Sequence, residues 1–312
     1  MNLLKKSKKY FLHPELIEHR LLCFILDSRF SDFIPDKIFL KLQFRQKLRK
    51  KLNLKNPVTF NEKVQWLKLY AQKQNYVQMA DKYEVRKYIA QTIGEKYLIP
   101  LVGKGIWNNF DEINFSELPD RFILKCTHDS GGHYICSDKN IFNIDEARKK
   151  INECLERHYY YSYREYIYKN IKPRIIAEQL MSDDDVGGLK DYKIFCFNGI
   201  PKIIEIDIDR FKKHKRNFYS TDWKYHACEN DAPTDPDFNI ERPQSLDIML
   251  ELAKKLSFDI PLLRVDLYYI NKEIYFGELT FFDGAGYNNY DPPEWDKILG
   301  DWLVLPSSKK KR

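Results

Sequence analysis

The stretch that limits the fold most is residues 263–280, in which β-branched and aromatic residues stand on both sides of Asn271-Lys272. This pattern predicts an antiparallel hairpin with a two-residue turn. Side chains two positions apart on a strand share one face of the sheet. The polar side chains at even-numbered positions of the two arms are Arg264, Asp266, Glu278 and Thr280. We therefore expect two carboxylates and a cation to converge on this hairpin.

The predicted hairpin carries no His or Cys beside its carboxylates, which selects the kind of ion that they could bind. Mg²⁺ prefers oxygen ligands and usually keeps positions open for the phosphates of a substrate. Asp266 and Glu278 are therefore candidate magnesium ligands, and Arg264 could stabilise a phosphoryl or carboxyl anion. The alternative is a surface hairpin whose acids and base pair only with each other.

The composition indicates a folded globular protein that is large enough for two or three layered units. Of its 312 residues, 43% are hydrophobic and 15% aromatic, which argues against a disordered chain. No run of eighteen apolar residues occurs, and the first residues lack the apolar core of a secretory signal. The six cysteines form no C-x-x-C pair, which favours reduced thiols over disulfides or zinc. We therefore expect a cytoplasmic protein.

The net charge of +7 is concentrated at the two ends of the sequence. Residues 1–55 contain fourteen Lys and Arg against five Asp and Glu, and residues 309–312 are all basic, so the remainder carries −6. The basic ends could hold the protein at the inner face of a membrane or on an acidic polysaccharide, since each cation near an anionic leaflet contributes about 1 kcal/mol. A solvated basic surface is the alternative. We expect no nucleic-acid partner, because no motif that reads nucleic acid is present.

The N-terminal part of the chain reads as helical. Residues 1–50 predict a basic helical segment that is interrupted at Pro35. Thr59 and Glu62, three positions apart, predict a capping box at the start of a further helix.

A second helix is predicted at residues 79–89, with Asp81 as its cap, before a short buried strand at residues 97–102. Lys82 and Arg86 lie four positions apart, so a continuous helix would present both cations on one face. Solvated surface charges would give the same spacing, so this alternative stays open.

A loop with adjacent glycines joins two predicted strands within residues 121–136. The loop contains Ser130, Gly131 and Gly132, and glycines allow backbone N–H groups to approach an anion closely. Lys125 lies within the apolar part of the first strand, where a buried ammonium needs a partner. The loop lacks the G-K-[ST] sequence of a Walker loop, and a plain hairpin turn is the alternative.

The rest of the chain alternates between strands and helices. The predicted elements are a helix at residues 143–170, a strand at residues 174–181, a hairpin at residues 189–207 and a helix at residues 246–256. An Asn198-Gly199 turn is the strongest signal for the second hairpin. A basic run that includes Arg210, His214 and Arg216 could hold an acidic sugar, and a solvated loop is the alternative.

Four blocks of the sequence together resemble the ATP-grasp superfamily. The residues within these blocks are similar to its TupA-like branch, which is associated with capsule and teichuronopeptide biosynthesis. The blocks are residues 59–70, residues 81–86, residues 122–132, and residues 264–266 together with 275–280. The resemblance implies an α+β fold of the ATP-grasp type, in which a nucleotide is held between two α+β units. A helical N-terminal segment precedes these units in the sequence.

The resemblance also implies a division of the chain into five segments. These are a basic helical segment at residues 1–55, an N-terminal helical and α+β unit at 56–120, a lid subdomain at 121–180, a metal-binding and catalytic subdomain at 181–306, and a basic tail at 307–312.

Nucleotide contacts follow from the same resemblance, position by position. The matching residues are Lys82, Arg86, Lys125, Ser130, Gly131, Gly132, Glu178, Gln179, Leu180, Asp185 and Lys193. Within this set, residues 178–180 are similar to the hinge that reads adenine through backbone groups, and Asp184 or Asp185 could reach the ribose. Lys125 and Lys193 are similar to phosphate-binding lysines.

The metal site implied by the resemblance consists of Asp266, Glu278 and Thr280. Related sequences commonly have Asn at the last position, so Thr280 keeps an oxygen ligand but a weaker one. The implied cofactors are ATP and Mg²⁺.

The activity implied by the resemblance is the ATP-dependent joining of a carboxylate to an amine through an acyl phosphate. Arg264, Lys193 and Lys125 would stabilise the transferring phosphoryl group. The substrate is expected to be a carboxylated sugar of a surface polysaccharide, held by Arg210, His214 and Arg216, with an amino compound as acceptor. The alternatives are an ATP-dependent carbohydrate kinase and a non-catalytic nucleotide-binding component of a glycan assembly complex.

Overall fold

The structure is a computed structural model that describes residues 14–182, 189–208, 214–238 and 240–307. Its strands form antiparallel sheets of four and six strands and a two-stranded sheet, and helices pack around them. The predicted α+β class is confirmed.

The helices surround the sheets and are of ordinary length. They are α1 Pro14–Leu26, α2 Asp36–Leu48, α3 Phe60–Tyr70, α4 Gln74–Ala80, α5 Val85–Thr92, α6 Ile144–Leu155, α7 Tyr159–Tyr163, α8 Leu246–Leu256 and α9 Glu294–Trp302. Within the described ranges, every helix is too short or too polar to cross a bilayer. The helix predicted at residues 246–256 is confirmed by α8.

The four-stranded sheet has the order β1-β4-β2-β3. Its strands are β1 Leu101–Trp107, β2 Phe122–Cys126, β3 His133–Cys136 and β4 Ile175–Gln179. Helix α6 packs against it and closes a separate apolar core that includes Phe122, Leu124 and Ile151. The four-stranded sheet therefore includes β1, which precedes residue 121, where the predicted lid subdomain begins.

The six-stranded sheet has the order β11-β10-β5-β6-β7-β8. Its strands are β5 Asp191–Phe197, β6 Ile200–Ile208, β7 Lys215–Ser220, β8 Tyr225–His226, β10 Leu262–Ile270 and β11 Glu273–Thr280, while β9 Glu229–Asn230 and β12 Tyr290–Asp291 form the two-stranded sheet. Both predicted hairpins are confirmed, β5–β6 around Asn198-Gly199 and β10–β11 around Asn271-Lys272.

The predicted capping box begins α3. Thr59 Oγ1 accepts the Glu62 N–H at 3.3 Å, and Glu62 Oε2 accepts the Thr59 N–H at 3.3 Å. The first residues of the helix also reach the C-terminal part of the chain, because the Asn61 N–H donates to Asp296 Oδ1 at 2.9 Å. Local capping and a long-range contact therefore fix the same helix start.

The helix predicted at residues 79–89 is interrupted. Asp81 ends α4 and its Oδ1 accepts the N–H groups of Tyr83 and Glu84 at 2.8 and 3.1 Å, so α5 starts only at Val85. A short Asp side chain that bonds nearby amides competes with the helical hydrogen bonds. The prediction of one continuous helix is wrong here.

Two further predicted elements differ from the structure. The helix predicted at residues 143–170 stops at Leu155 and resumes over Tyr159–Tyr163. This second piece ends where Arg164 adopts a left-handed conformation and its guanidinium packs on Phe39 of α2. The strand predicted at residues 97–102 begins only at Leu101.

A buried lysine and a buried glutamate lie where α3, the segment before β4 and the loop after β11 meet. Lys68 Nζ donates to Tyr163 O at 2.9 Å and to Ala285 O at 2.8 Å, and Lys68 is 1% exposed. Burial lowers the pKa of Lys68 to about 8, against the attraction of Glu165. Burial likewise raises the pKa of Glu165 to about 7, although Lys68 opposes this shift.

Glu165 should make stability fall as pH rises from about 4.5 to about 7. In this window the folded protein keeps a proton on Glu165 that the unfolded chain has released, so rising pH favours unfolding. The raised pKa corresponds to up to about 3 kcal/mol. In Glu165→Gln this part of the pH dependence should be absent from urea unfolding curves, whereas the exposed-site control Glu156→Gln should keep it. An unchanged slope in Glu165→Gln would contradict the assignment.

Candidate active site

A cleft of about 320 Å³ lies between the four-stranded sheet and the β10–β11 hairpin. Its apolar lining includes Ile99, Ile123, Ile176, Leu180, Met181, Phe276 and Leu279. Its charged lining includes Lys82, Arg86, Lys125, Glu178, Asp191, Asp266 and Glu278. Such a cleft suits a ligand that combines a flat apolar group with anionic groups.

The two predicted metal carboxylates meet because the hairpin is irregular. Around the turn Ile270 pairs with Glu273, and a regular continuation would place Asp266 opposite Gly277. The register shifts by one residue instead, and Asp266 pairs with Glu278. Without this bulge, Glu278 would lie on the other face of the sheet, since one step of register exchanges the faces.

Gly277 is the extra residue of this bulge, and the space beside it is small. A Cβ atom on Gly277 would lie 3.0 Å from Asp266 O and 3.3 Å from the Tyr268 ring. Any larger residue would therefore press on the strand that carries Asp266.

Arg264 lies between three carboxylates. Its Nε and Nη2 donate to the two oxygens of Asp266 at 2.7 and 2.6 Å, and Nη2 also donates to Glu278 Oε1 at 3.1 Å. Its Nη1 donates to Asp283 Oδ1 at 2.5 Å. Burial disfavours the guanidinium charge, but these carboxylates raise the pKa of Arg264 well above its usual value. The cation is thus fixed in the charged form.

The two carboxylates of the hairpin have different proton affinities. Burial, with the nearby Asp191 and Glu278 carboxylates, raises the pKa of Asp266, while Arg264 opposes this shift. Loss of water contact also disfavours ionised Glu278, but the surrounding cations together lower its pKa to about 2. These cations are Arg264, Lys82, Lys193 and Lys125. Glu278, whose side chain is 48% exposed, is therefore a stable anion facing the cleft.

The opposite wall of the cleft carries a second charged group. Lys125 Nζ donates to Glu178 Oε2 at 2.6 Å, and Arg86 Nη1 donates to Glu178 Oε1 at 3.2 Å. Lys125 is only partly buried, and the partner of its ammonium is Glu178. Lys82 and Arg86 both line the cleft although they are not on one continuous helix. The Gln179 N–H donates to Pro100 O at 3.0 Å, so this hinge amide already has a partner.

The glycine loop after β2 is held by a buried aspartate. Asp129 Oδ1 accepts the Ser130 N–H at 2.8 Å, its Oδ2 accepts Arg157 Nη1 at 2.9 Å, and its carbonyl accepts Lys82 Nζ. Gly131 has φ +81°, which favours glycine, and a Cβ on Gly132 would lie 1.9 Å from Cys154 Sγ. Packing against α6 thus requires Gly132 independently of any ligand.

Lys193 lies beside the hairpin carboxylates but does not line the cleft. It pairs with Asp266 in the β5–β10 register, yet its ammonium donates to Glu205 Oε1 at 3.1 Å and to Asp207. The predicted direct contact between Lys193 and phosphate therefore finds no support in this arrangement.

Two of the residues predicted to bind the sugar, His214 and Arg216, are also turned toward buried acids. Arg216 Nε and His214 Nε2 both lie 2.8 Å from Asp207 Oδ1, and Arg216 also lies 2.9 Å from Glu205 Oε1. Burial opposes ionisation of Asp207, but Lys193 and Arg216 hold its pKa well below the usual range. The basic run is thus in part a structural ion cluster rather than a free anion site.

Two predicted site residues, Asp185 and Arg210, lie outside the described residues. Thr280 lies on the hairpin opposite Arg264, and its Oγ1 is 3.3 Å from Glu278 Oε1. Ser130, Gly131, Gly132, Glu178, Gln179 and Leu180 all line the cleft.

The comparison with protein families agrees with this geometry. The chain matches the TupA-like ATPgrasp family over residues 62–304. It belongs to this family. Its fold is accordingly an ATP-grasp fold, and membership supports an ATP-dependent enzyme of the ligase kind.

Solved structures of ATP-grasp enzymes are similar to this family member at low identity. D-alanine–D-alanine ligase of Helicobacter pylori is 15% identical, with a TM-score of 0.42, over 78% of this chain and 69% of that one. The corresponding ligase of Bacillus anthracis is 16% identical, with a TM-score of 0.39, over 72% of this chain and 66% of that one. Carboxyaminoimidazole ribonucleotide synthase of Aspergillus clavatus, complexed with ATP, is 14% identical, with a TM-score of 0.39, over 65% of this chain and 44% of that one. No curated protein matches the chain.

The donor set on the hairpin fits the magnesium ion that ATP-grasp families imply. Within the described part of the chain, no group of three or more His, Cys, Asp or Glu side chains is arranged to hold a metal. Asp266 and Glu278 provide oxygen ligands on one face, and an oxygen-preferring ion that takes further ligands from phosphates needs no third acid. The carboxylates of Asp266 and Glu278, with the Thr280 hydroxyl, are the groups that would hold it.

Three residues of the site were not predicted from the sequence. Asp191, at the start of β5, lines the cleft, and its alternation with Lys193 on one strand face is the signal that could have indicated it. Asp283 holds Arg264 from a loop, where no periodicity applies. Gly277 creates the bulge, and an isolated glycine within a predicted strand is a signal for one.

Lys125→Ala should weaken ATP binding by about ten- to a hundredfold, because a charged contact to phosphate is lost. Isothermal titration calorimetry with ATP measures this directly. Lys104→Ala is the matched control, since Lys104 is an exposed lysine on β1 of the same sheet and should leave the affinity unchanged. Equal affinities of the wild-type protein and Lys125→Ala would remove this lysine from the site.

Proposed function

We propose that the protein is an ATP- and Mg²⁺-dependent carboxylate–amine ligase, which attaches an amino compound to a carboxylated sugar in capsule or cell-surface polysaccharide biosynthesis. The observation that carries the proposal is the pairing of two charged walls. Asp266 and Glu278 face the same apolar-lined cleft as Lys82, Arg86 and Lys125. Membership of the TupA-like ATP-grasp family supports the reaction class.

The proposed reaction uses the charges of the cleft and no side-chain nucleophile. An oxygen of the sugar carboxylate attacks the γ-phosphorus of ATP, so that ADP leaves and an acyl phosphate forms. The amine then attacks the acyl carbon, and phosphate leaves. Lys125 and Arg264 stabilise the negative charge on the transferring group, and a bound Mg²⁺ would supply further charge neutralisation.

The attacking group is a carboxylate in a ligase and a hydroxyl in a kinase, and the two make different demands on the acids of the cleft. A hydroxyl needs a base that accepts its proton, whereas a carboxylate is already an anion. Asp266 and Glu278 are both bound to Arg264, and Glu178 is bound to Lys125 and Arg86. The cations lower the pKa of Glu278 to about 2, which makes it a poor base, whereas Asp266 has a raised pKa and can accept a proton. The preference for a ligase over a kinase therefore rests on membership of the TupA-like ATP-grasp family.

The sugar partner rests on the family resemblance more than on the basic run. His214 and Arg216 are bound by Asp207, so they offer less to an incoming carboxylate than the sequence suggested. A uronic acid is the proposed substrate, with an amino acid or amino sugar as the amine.

The deciding experiment follows ATP consumption with Mg²⁺ and separates ADP plus phosphate from AMP plus pyrophosphate. Uronic acids are supplied with and without amino compounds. ADP formation that requires both partners, with an amide product, is expected. ADP formed with sugar alone, with the phosphate retained on the sugar, would mean a kinase, and the absence of any turnover across the screen would favour a nucleotide-binding component.

Glu278→Gln should lower magnesium-dependent turnover by about a hundred- to a thousandfold, in line with the loss of one charged contact at the transferring group. Glu278 is partly exposed, and Arg264 keeps its pairs with Asp266 and Asp283 in this variant, so the melting temperature should change little. Asp266→Asn should have the same kinetic effect but lower stability as well, because Asp266 is buried against Arg264.

Glu273→Gln is the matched control for these two variants, since Glu273 is an exposed glutamate on the same strand, at the turn. It should retain full activity. Full activity in Glu278→Gln would remove the hairpin face from the reaction.

A further inference from the structure

Six large apolar side chains of the first two helices and the turn between them are exposed, and we call this group the N-terminal apolar face. Its members are Ile17, Leu21 and Phe24 on α1, Phe30 and Phe33 in the turn that follows, and Ile38 on α2. Phe24, Phe30 and Phe33 are 77%, 80% and 86% exposed. Exposed aromatic residues grouped in this way mark an interaction surface more often than single exposed residues do.

This face is separate from the one by which α1 packs on the protein. Ile17, Leu21 and Phe24 are four and three positions apart, so they form one stripe along the helix. Leu26 is buried and lies nine positions after Ile17, which is half a turn away around the helix axis. Helix α1 is therefore apolar on two sides, and only one of them has a partner in the described structure.

Cations accompany the apolar face. Lys37 and Lys41 are exposed one turn apart on α2, on either side of Ile38 in the sequence. Residues 14–55 contain ten Lys and Arg against five Asp and Glu, and residues 1–13 add four lysines. The rest of the protein, apart from its basic tail, carries −6. The first 55 residues, which include the exposed aromatic residues, thus carry a net charge of +9.

We propose that the N-terminal apolar face docks the protein on the surface of an anionic lipid bilayer. Phe24, Phe30 and Phe33 enter the boundary between headgroups and acyl chains, and the lysines contact the headgroups. Helices that lie in a membrane interface combine Phe and Leu on one side with Lys and Arg on the other. Protein–protein interfaces, by contrast, are depleted in lysine. The mixture found here therefore fits lipid better than a protein partner.

The proposed docking connects to the rest of the molecule through the other side of the helical pair. Phe39, Leu40 and Phe44 of α2 pack in one buried cluster with Ala285 and Tyr287. Ala285 and Tyr287 lie in the segment that follows β11. A bilayer bound by the helical pair would thus lie at a fixed position relative to the cleft. The proposal does not depend on which reaction the cleft performs.

The test is sedimentation of the full-length protein with vesicles. Vesicles of phosphatidylglycerol mixed with phosphatidylcholine are compared with vesicles of phosphatidylcholine alone. Wild-type protein should bind the anionic vesicles and bind the neutral ones much less. Phe24→Ser and Phe33→Ser should each lower the partition coefficient by about tenfold. Lys37→Glu combined with Lys41→Glu should lower it on anionic vesicles only.

Phe258→Ser is the matched control, because Phe258 is 80% exposed in the segment after α8, outside the helical pair. It should bind as the wild-type protein does. Circular dichroism melting curves of all variants establish that they are folded. In Phe24→Trp, contact with vesicles should shift the fluorescence of the new side chain to shorter wavelength.

Several outcomes would overturn the proposal. One is a wild-type protein that does not bind anionic vesicles, and another is binding that Phe24→Ser and Phe33→Ser leave unchanged, which would mean a purely electrostatic contact. Light scattering after size exclusion provides a further outcome. If the wild-type protein self-associates and the two Phe variants are monomeric, the face is an interface between copies of this chain.

Discussion

The need to pair a buried guanidinium governs the arrangement of the site. Arg264 is enclosed, and an enclosed charge is tolerated only with compensating partners. The carboxylates that compensate it are Asp266, Glu278 and Asp283. Asp283 in turn accepts a hydrogen bond from Asn288, which exchanges hydrogen bonds with Asn61 at the start of α3. The guanidinium of Arg264 and the attachment of a distant helix therefore belong to one hydrogen-bond network.

Charge pairing on both walls explains how such a site can fold without its ligands. On one wall Glu178 holds Lys125 and Arg86, and on the other Arg264 holds the carboxylates. Each charge of these two groups has an opposite partner before any nucleotide binds, which limits the repulsion that unpaired cations or acids would cause in the cleft. The cations of the first wall come from different parts of the chain, so the cleft exists only in the folded molecule.

Local signals in the sequence predicted those features that local physics determines. The capping box at Thr59, the turns at Asn198-Gly199 and Asn271-Lys272, and the limits of α8 depend on a few neighbouring residues. The helix break at Asp81 and the capture of Lys193 by Asp207 depend on choices between competing partners, which a pattern of residue types does not rank. The hairpin pattern alone made Glu278 a candidate metal ligand, whereas the assignment of Lys125 to phosphate required the family resemblance. The ligand contacts of both residues stay predictions until they are tested.

The bulge at Gly277 has a consequence for how the length of this hairpin can vary. Each residue added or removed between Asp266 and Glu278 exchanges inward and outward positions beyond it. An insertion of one residue at the tip would therefore turn Glu278 away from Asp266, whereas an insertion of two would restore the original side. In proteins that keep this pair of acids, the tip should lengthen or shorten in even steps, or an odd change should be accompanied by the loss or gain of a bulge.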